Sequence, residues 1–173
     1  MISFLTVTGA VSCDKTLVLP SLFALVLKDA TLTASSLISN TVISASDSSF
    51  SAVISAGGPT SGKIECSKLG VSGINIADSS YFTVDGISFT NCGSSNTAAV
   101  VIQNNIAAPA TNGNNTMLSS LSILNSMSSG VSVSYGKRVM IMKSTISASA
   151  TSGISFPLII SFISLLKYLL PVY

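Results

Sequence analysis

The chain has 173 residues, 47% of them apolar and only 8% charged, for a net charge of +2. Such a chain is too apolar for intrinsic disorder, long enough to bury one core, and without the basic footprint that nucleic acid requires. It has no histidine, which excludes histidine-based triads and ordinary catalytic zinc sites, and its abundant serine with few Lys and Glu disfavours long surface helices.

Residues 1–16 begin with a mildly apolar stretch that reaches Ala10-Val11-Ser12, a small-x-small pattern without a positively charged start. They read either as an N-terminal strand carrying Phe4, Val7 and Val11 or as a weak signal-like segment. Residues 17–32 are expected to supply further strands. Beyond them the chain repeats itself. Gly73-Ile74-Asn75-Ile76, Gly130-Val131-Ser132-Val133 and Gly153-Ile154-Ser155-Phe156 share the form Gly-β-branched-x-apolar, the last two starting 23 residues apart. Ala99-Val100-Val101-Ile102 is a fourth copy without the glycine, and Ala52-Val53-Ile54-Ser55 reads as a fifth.

A second segment follows each strand. Residues 83–92 align with residues 117–126, and residues 140–149 follow with Ile141 and Ile146 in the apolar positions. The step from Val84 to Leu118 is longer because residues 107–115, rich in Pro, Asn and Gly, read as an inserted loop. Short period-2 strands recurring about every 23 residues between polar turns indicate a β-solenoid, in which each coil adds a rung at strand-pairing distance. Columns such as Ile74/Val131/Ile154 and Val84/Leu118/Ile141 would then line the interior. Asn91 and Asn125, at equivalent turns, would either begin a side-chain ladder or simply face solvent.

The Gly-Ile-Asn-Ile, Gly-Val-Ser-Val and Gly-Ile-Ser-Phe strands, with the Val/Ile strands after them, resemble the pectin-lyase-like superfamily over roughly residues 42–156. The resemblance implies an all-β fold, a single-stranded right-handed parallel β-helix of about five coils across residues 17–156. It also implies an extracellular setting and, for most members, action on acidic polysaccharides, although many β-helices are non-catalytic.

In polygalacturonase-like members, aspartates just before the Gly-Ile-x-Ile strand supply the paired carboxylates that glycoside hydrolysis needs. Here Ser72, Ser129 and Ser152 stand in those places, the outward strand positions are Asn75, Ser132 and Ser155, and the family's His-Gly and Arg-x-Lys elements are missing. The alternative is a lyase or C5-epimerase acting on a uronic-acid polysaccharide, pectate or alginate. In Tyr135-Gly136-Lys137-Arg138, Tyr135 would move a proton while Lys137 and Arg138 hold the sugar carboxylate. The stretch resembles the Tyr-Gly start of the alginate epimerase motif, without that motif's acidic and histidine residues. The same four residues also read as a solvated turn.

Lys63 and Lys68 flank Ile64-Glu65-Cys66 and would line a groove for an anionic glycan, with Asn75 and Ser132 as further substrate contacts, or would decorate an exposed face. Tyr81 and Tyr135 are the aromatic candidates for stacking on a sugar. Calcium would need several converging oxygens; Asp78 and Asp85 share a coil but read as turn formers, and Asp47 and Glu65 lie in other coils. No metal or cofactor site is therefore assigned.

Cys66 and Cys92 are 26 residues apart, about one coil, which makes them vertical neighbours. They would form a disulfide or fill a column as buried thiols, and core filling is the favoured assignment. Asn114-Asn115-Thr116 marks Asn114 as a glycosylation acceptor in a secreted protein. Residues 157–173 are apolar all round if helical and read as a cap, an anchor or a non-native end; residues 154–172 approach the length of a membrane span. The expectation is a monomeric β-helix module, secreted or at the cell surface, with a carbohydrate-binding or structural role, or a fragment of a polysaccharide-active protein.

Overall fold

Runs of Val and Ile alternating with Ser, Thr and Asn favour half-buried strands, and after the long β-runs of residues 3–13 and 23–34 most runs end within three to six residues, several of them at a polar residue with positive φ. A computed structural model of the chain describes residues 1–67, 70–104, 115–136, 138–147, 149–150 and 153–158. The strands are β1 (Ser3–Cys13), β2 (Leu17–Val18), β3 (Phe23–Ala34), β4 (Thr41–Ser46), β5 (Ala52–Ser55), β6 (Gly62–Glu65), β7 (Ser72–Ala77) and β8 (Thr83–Asp85). They continue as β9 (Ile87–Thr90), β10 (Val100–Gln103), β11 (Met117–Ser119), β12 (Ser122–Leu124), β13 (Val131–Ser134), β14 (Met140–Met142), β15 (Thr145–Ser147) and β16 (Ile154–Leu158). Among the described residues the one helical piece is a 3₁₀ turn, Gly58–Thr60, after β5.

Every strand pair is parallel. One sheet runs β16-β13-β10-β7-β4-β2. The other is forked: the first half of β3 pairs with β5 and its second half with β6, and from each half a ladder of short strands continues. The ladders are β5-β8-β11-β14 and β6-β9-β12-β15. Each passage of the chain therefore adds one strand to the six-stranded sheet and one to each ladder; such a passage is called a tier below. The arrangement is all-β, parallel and compatible with a solenoid.

The register places the interior columns as the repeat predicts. Ile74 pairs with Val100, Val100 with Val131 and Val131 with Ile154; Val84 pairs with Leu118 and Leu118 with Ile141. All of these are buried except the half-buried Ile154, in one continuous apolar core with Phe82 and Phe89 among its largest members. The two longer segments, residues 83–92 and 117–126, also superpose residue for residue.

Three expectations need correction. Residues 52–55 are not a fifth copy of the glycine-led strand: Val53 pairs with Val84 in a ladder, and the true counterpart is in β4, where Ile43 pairs with Ile74. The segment after each glycine-led strand is not one strand but two, bent at Gly86 (φ 67°), Ser120 (φ 53°) and Lys143 (φ 48°). The 23-residue recurrence holds only for the last step, because the paired residues Ile43, Ile74, Val100 and Val131 are separated by turns of unequal length.

Two of the three glycines that lead the strands, Gly73 and Gly130, have a packing reason, whereas a Cβ on Gly153 would meet nothing closer than 3.9 Å. A Cβ on Gly73 would lie 2.4 Å from Phe89 Cδ1, and one on Gly130 would lie 2.3 Å from Ile146 Cγ2. The six-stranded sheet and the second ladder therefore meet at this line, where only hydrogen fits. The favoured reading of Cys66 and Cys92 as buried thiols is also corrected: across the tiers the two are joined in a disulfide with Cα atoms 4.8 Å apart and both residues fully buried. Cys13 is a buried free thiol whose pKa is pushed up by burial and by the nearby Asp14 carboxylate. At the turn after the second ladder, Asn125 Nδ2 donates to Asn91 Oδ1 at 3.4 Å and Asn91 Nδ2 donates to Glu65 Oε1 at 2.8 Å, so a short side-chain ladder forms. Among the described residues no helix is long and apolar enough to cross a membrane; residues 159–173, most of the apolar tail, lie outside them.

Candidate functional site

A strand of a parallel sheet buries one face, so the other face carries whatever chemistry the sheet can present to solvent. On the six-stranded sheet the outward positions align in columns. Ser44 pairs with Asn75, Asn75 with Val101, Val101 with Ser132, and Ser132 with Ser155. All five are half-buried. A neighbouring column holds Ser46, Ala77, Gln103 and Ser134. The structure thus brings Asn75 and Ser132 into one column with Val101 between them. Asn75 Oδ1 is shielded from solvent and has no hydrogen-bond partner among the described residues.

The next residue of each tier forms the corner that leaves this face. Asp47 N donates to Ala77 O, Asp78 N to Gln103 O and Asn104 N to Ser134 O, so Asp47, Asp78, Asn104 and Tyr135 stack in chain order up the corner. Asn104 Nδ2 donates to Tyr135 O at 3.1 Å. Asp47 (φ 53°), Asp78 (φ 49°) and Tyr135 (φ 57°) are left-handed, the conformation that turns the chain sharply. Tyr135 is half-buried and Arg138 is exposed (φ 53°); Lys137, between them, lies outside the described residues.

Three residues beyond each aspartate the corner repeats an aromatic. Phe50 (54% exposed) and Tyr81 (52% exposed) occupy equivalent places, with ring centroids 4.7 Å apart and planes within 7°. Serines brace these turns across tiers. Ser49 N donates to Ser21 Oγ at 3.0 Å, Ser48 N to Ser79 Oγ at 2.9 Å and Ser51 Oγ to Pro20 O at 2.8 Å. Ser79 Oγ donates to Ala45 O at 2.9 Å, and Ser48 Oγ donates to Leu19 O.

The remaining candidates sit elsewhere. Lys63 is exposed on the outer face of β6, in the column Thr31, Lys63, Ser88, Ser122 and Thr145 of the second ladder, away from Asn75 and Ser132. Lys68 and Asn114 lie outside the described residues, while Thr116, the last residue of the sequon, is fully buried with its hydroxyl unpartnered. Asp85 Oδ1 accepts from Ser119 Oγ at 2.5 Å in the first ladder. No group of three or more His, Cys, Asp or Glu among the described residues is placed to hold a metal ion.

Phe50 and the Asp47–Asp78 stack are what the sequence reading misses. The signal is present as a 31-residue repeat, Asp47-Ser48-Ser49-Phe50 against Asp78-Ser79-Ser80-Tyr81, and it is hidden because the first glycine-led strand begins only at Gly73.

Fold and face together define an all-β protein of stacked parallel strands, compatible with a solenoid, that presents an uncharged hydroxyl and amide face bordered by carboxylates and aromatic rings. No family model, curated protein or solved structure matches the chain.

Proposed function

We propose that the chain is a secreted or cell-surface module, folded as a right-handed parallel β-helix of about five coils, that binds polysaccharide along the outer face of its six-stranded sheet. The observation that carries this reading is the column Ser44, Asn75, Val101, Ser132 and Ser155, half-buried and uncharged, four of whose five side chains can hydrogen-bond. Hydroxyls and amides in fixed register suit sugar hydroxyls, which both donate and accept. The Cys66–Cys92 disulfide supports the secreted setting, since structural disulfides persist mainly in oxidising compartments. The resemblance to the pectin-lyase-like superfamily supports the handedness and a polysaccharide ligand. A lyase or epimerase is the less favoured reading, because the column holds neither a base nor a cation.

Co-sedimentation with insoluble cellulose, chitin and calcium pectate tests the reading. At least one of them is expected to retain the chain, and the double variant Asn75→Ala/Ser132→Ala to weaken retention about tenfold. Failure of every polysaccharide to retain a folded sample contradicts it.

A further inference from the structure

The Phe50–Tyr81 pair is an expensive place to put aromatic rings. About half of each residue's surface is in water, and both residues are left-handed (φ 56° and 55°), a conformation disfavoured for bulky side chains. Leu22, in the equivalent position of the preceding tier, is also left-handed (φ 58°) and 45% exposed. At most other left-handed positions the chain uses polar residues, among them Asp29, Asn91, Ser120, Asn125 and Lys143, and the further aromatic, Tyr135 (φ 57°), is half-buried. Stability alone therefore does not account for the rings. Such strain, held by surrounding structure, points toward function.

The corner is rigid, because the serine hydroxyls at Ser21, Ser48, Ser51 and Ser79 are committed to bonds across tiers. It is also acidic. Exposed Asp47 and half-buried Asp78 stand on the same turns as the rings, one tier apart. Carboxylates accept from paired sugar hydroxyls and repel polyuronates. Aromatic surface meets the C–H face of a sugar ring, and the face beside it offers further hydroxyl partners.

We infer that the Phe50–Tyr81 corner, with Asp47 and Asp78 beside it, is the stacking subsite of the polysaccharide-binding face and selects an uncharged glycan chain over a polyuronate. The inference rests on the carbohydrate-binding reading above and narrows it to a ligand class.

Calorimetric titration of the full chain with hydroxyethylcellulose, galactomannan, polygalacturonate and poly-L-lysine tests it. Tyr81→Asn and Phe50→Asn remove the rings while suiting the left-handed backbone, and circular dichroism checks that they fold. A neutral polymer is expected to bind, with affinity falling about tenfold in each Asn variant and staying within about twofold in Tyr81→Phe. Unchanged affinity in the folded Asn variants, with loss in Asn75→Ala, overturns the subsite and leaves the binding face standing. Preference for polygalacturonate overturns the ligand class, and binding of poly-L-lysine alone replaces the glycan with a cationic protein segment. Binding of none of the four polymers removes both readings.

Discussion

A methyl group at Gly73 would collide with Phe89 Cδ1 at 2.4 Å and Cε1 at 2.8 Å, and Ala99 O lies 3.3 Å away on another side. Phe89 is fully buried and its ring has nowhere to swing. Gly73→Ala is therefore expected to destabilise the fold by about 1–3 kcal/mol, the usual cost of overpacking, read as a lowered midpoint in urea. A neutral effect would mean that the sheet and the second ladder do not meet there. The repeated glycine is plain in the sequence, but its reason is not, since the clashing partner comes from a different strand 16 residues later. The residues of the proposed binding face divide the same way. Asn75 and Ser132 are legible because outward positions alternate along a strand; Phe50 is not, because its importance comes from the ring stacked on it in the next tier.

At the scale of elements, the pairing of strands was legible where residues repeat in type. Val84 and Ile141 share a column because each lies eight residues after the last apolar residue of the preceding strand, Ile76 and Val133, and Leu118 joins it across the longer loop. The division of each following segment into two strands was not legible, because the bend falls on chemically different residues, Gly86, Ser120 and Lys143, that share only a left-handed backbone. The misassigned residues 52–55 have the same cause: Ala-Val-Ile-Ser suits either sheet, and only pairing with β8 decides. The disulfide ties two tiers by closing a loop between Cys66 and Cys92 at a separation of 26 residues. Cys66→Ala/Cys92→Ala is expected to lose about 3 kcal/mol, the cost of releasing a loop of this size. Equal denaturation midpoints for the parent chain with and without reductant would show that the two cysteines are not bonded in solution.

Over the whole molecule, stacked short strands make a quasi-one-dimensional structure in which each tier is stabilised by its neighbours, and the outer face gains length as tiers accumulate. That geometry suits an extended ligand lying across several tiers, and in two tiers the aromatic corner follows the polar column by six residues of chain. The most direct measurement is an NMR titration of the ¹⁵N-labelled chain with hydroxyethylcellulose and, separately, polygalacturonate. The account predicts amide shifts at Ser44, Asn75, Val101 and Ser132 on the six-stranded sheet, extending to Phe50 and Tyr81, and stronger with the neutral polymer. Shifts confined to the second ladder around Lys63, Ser88 and Ser122, or no shifts with either polymer, would contradict it.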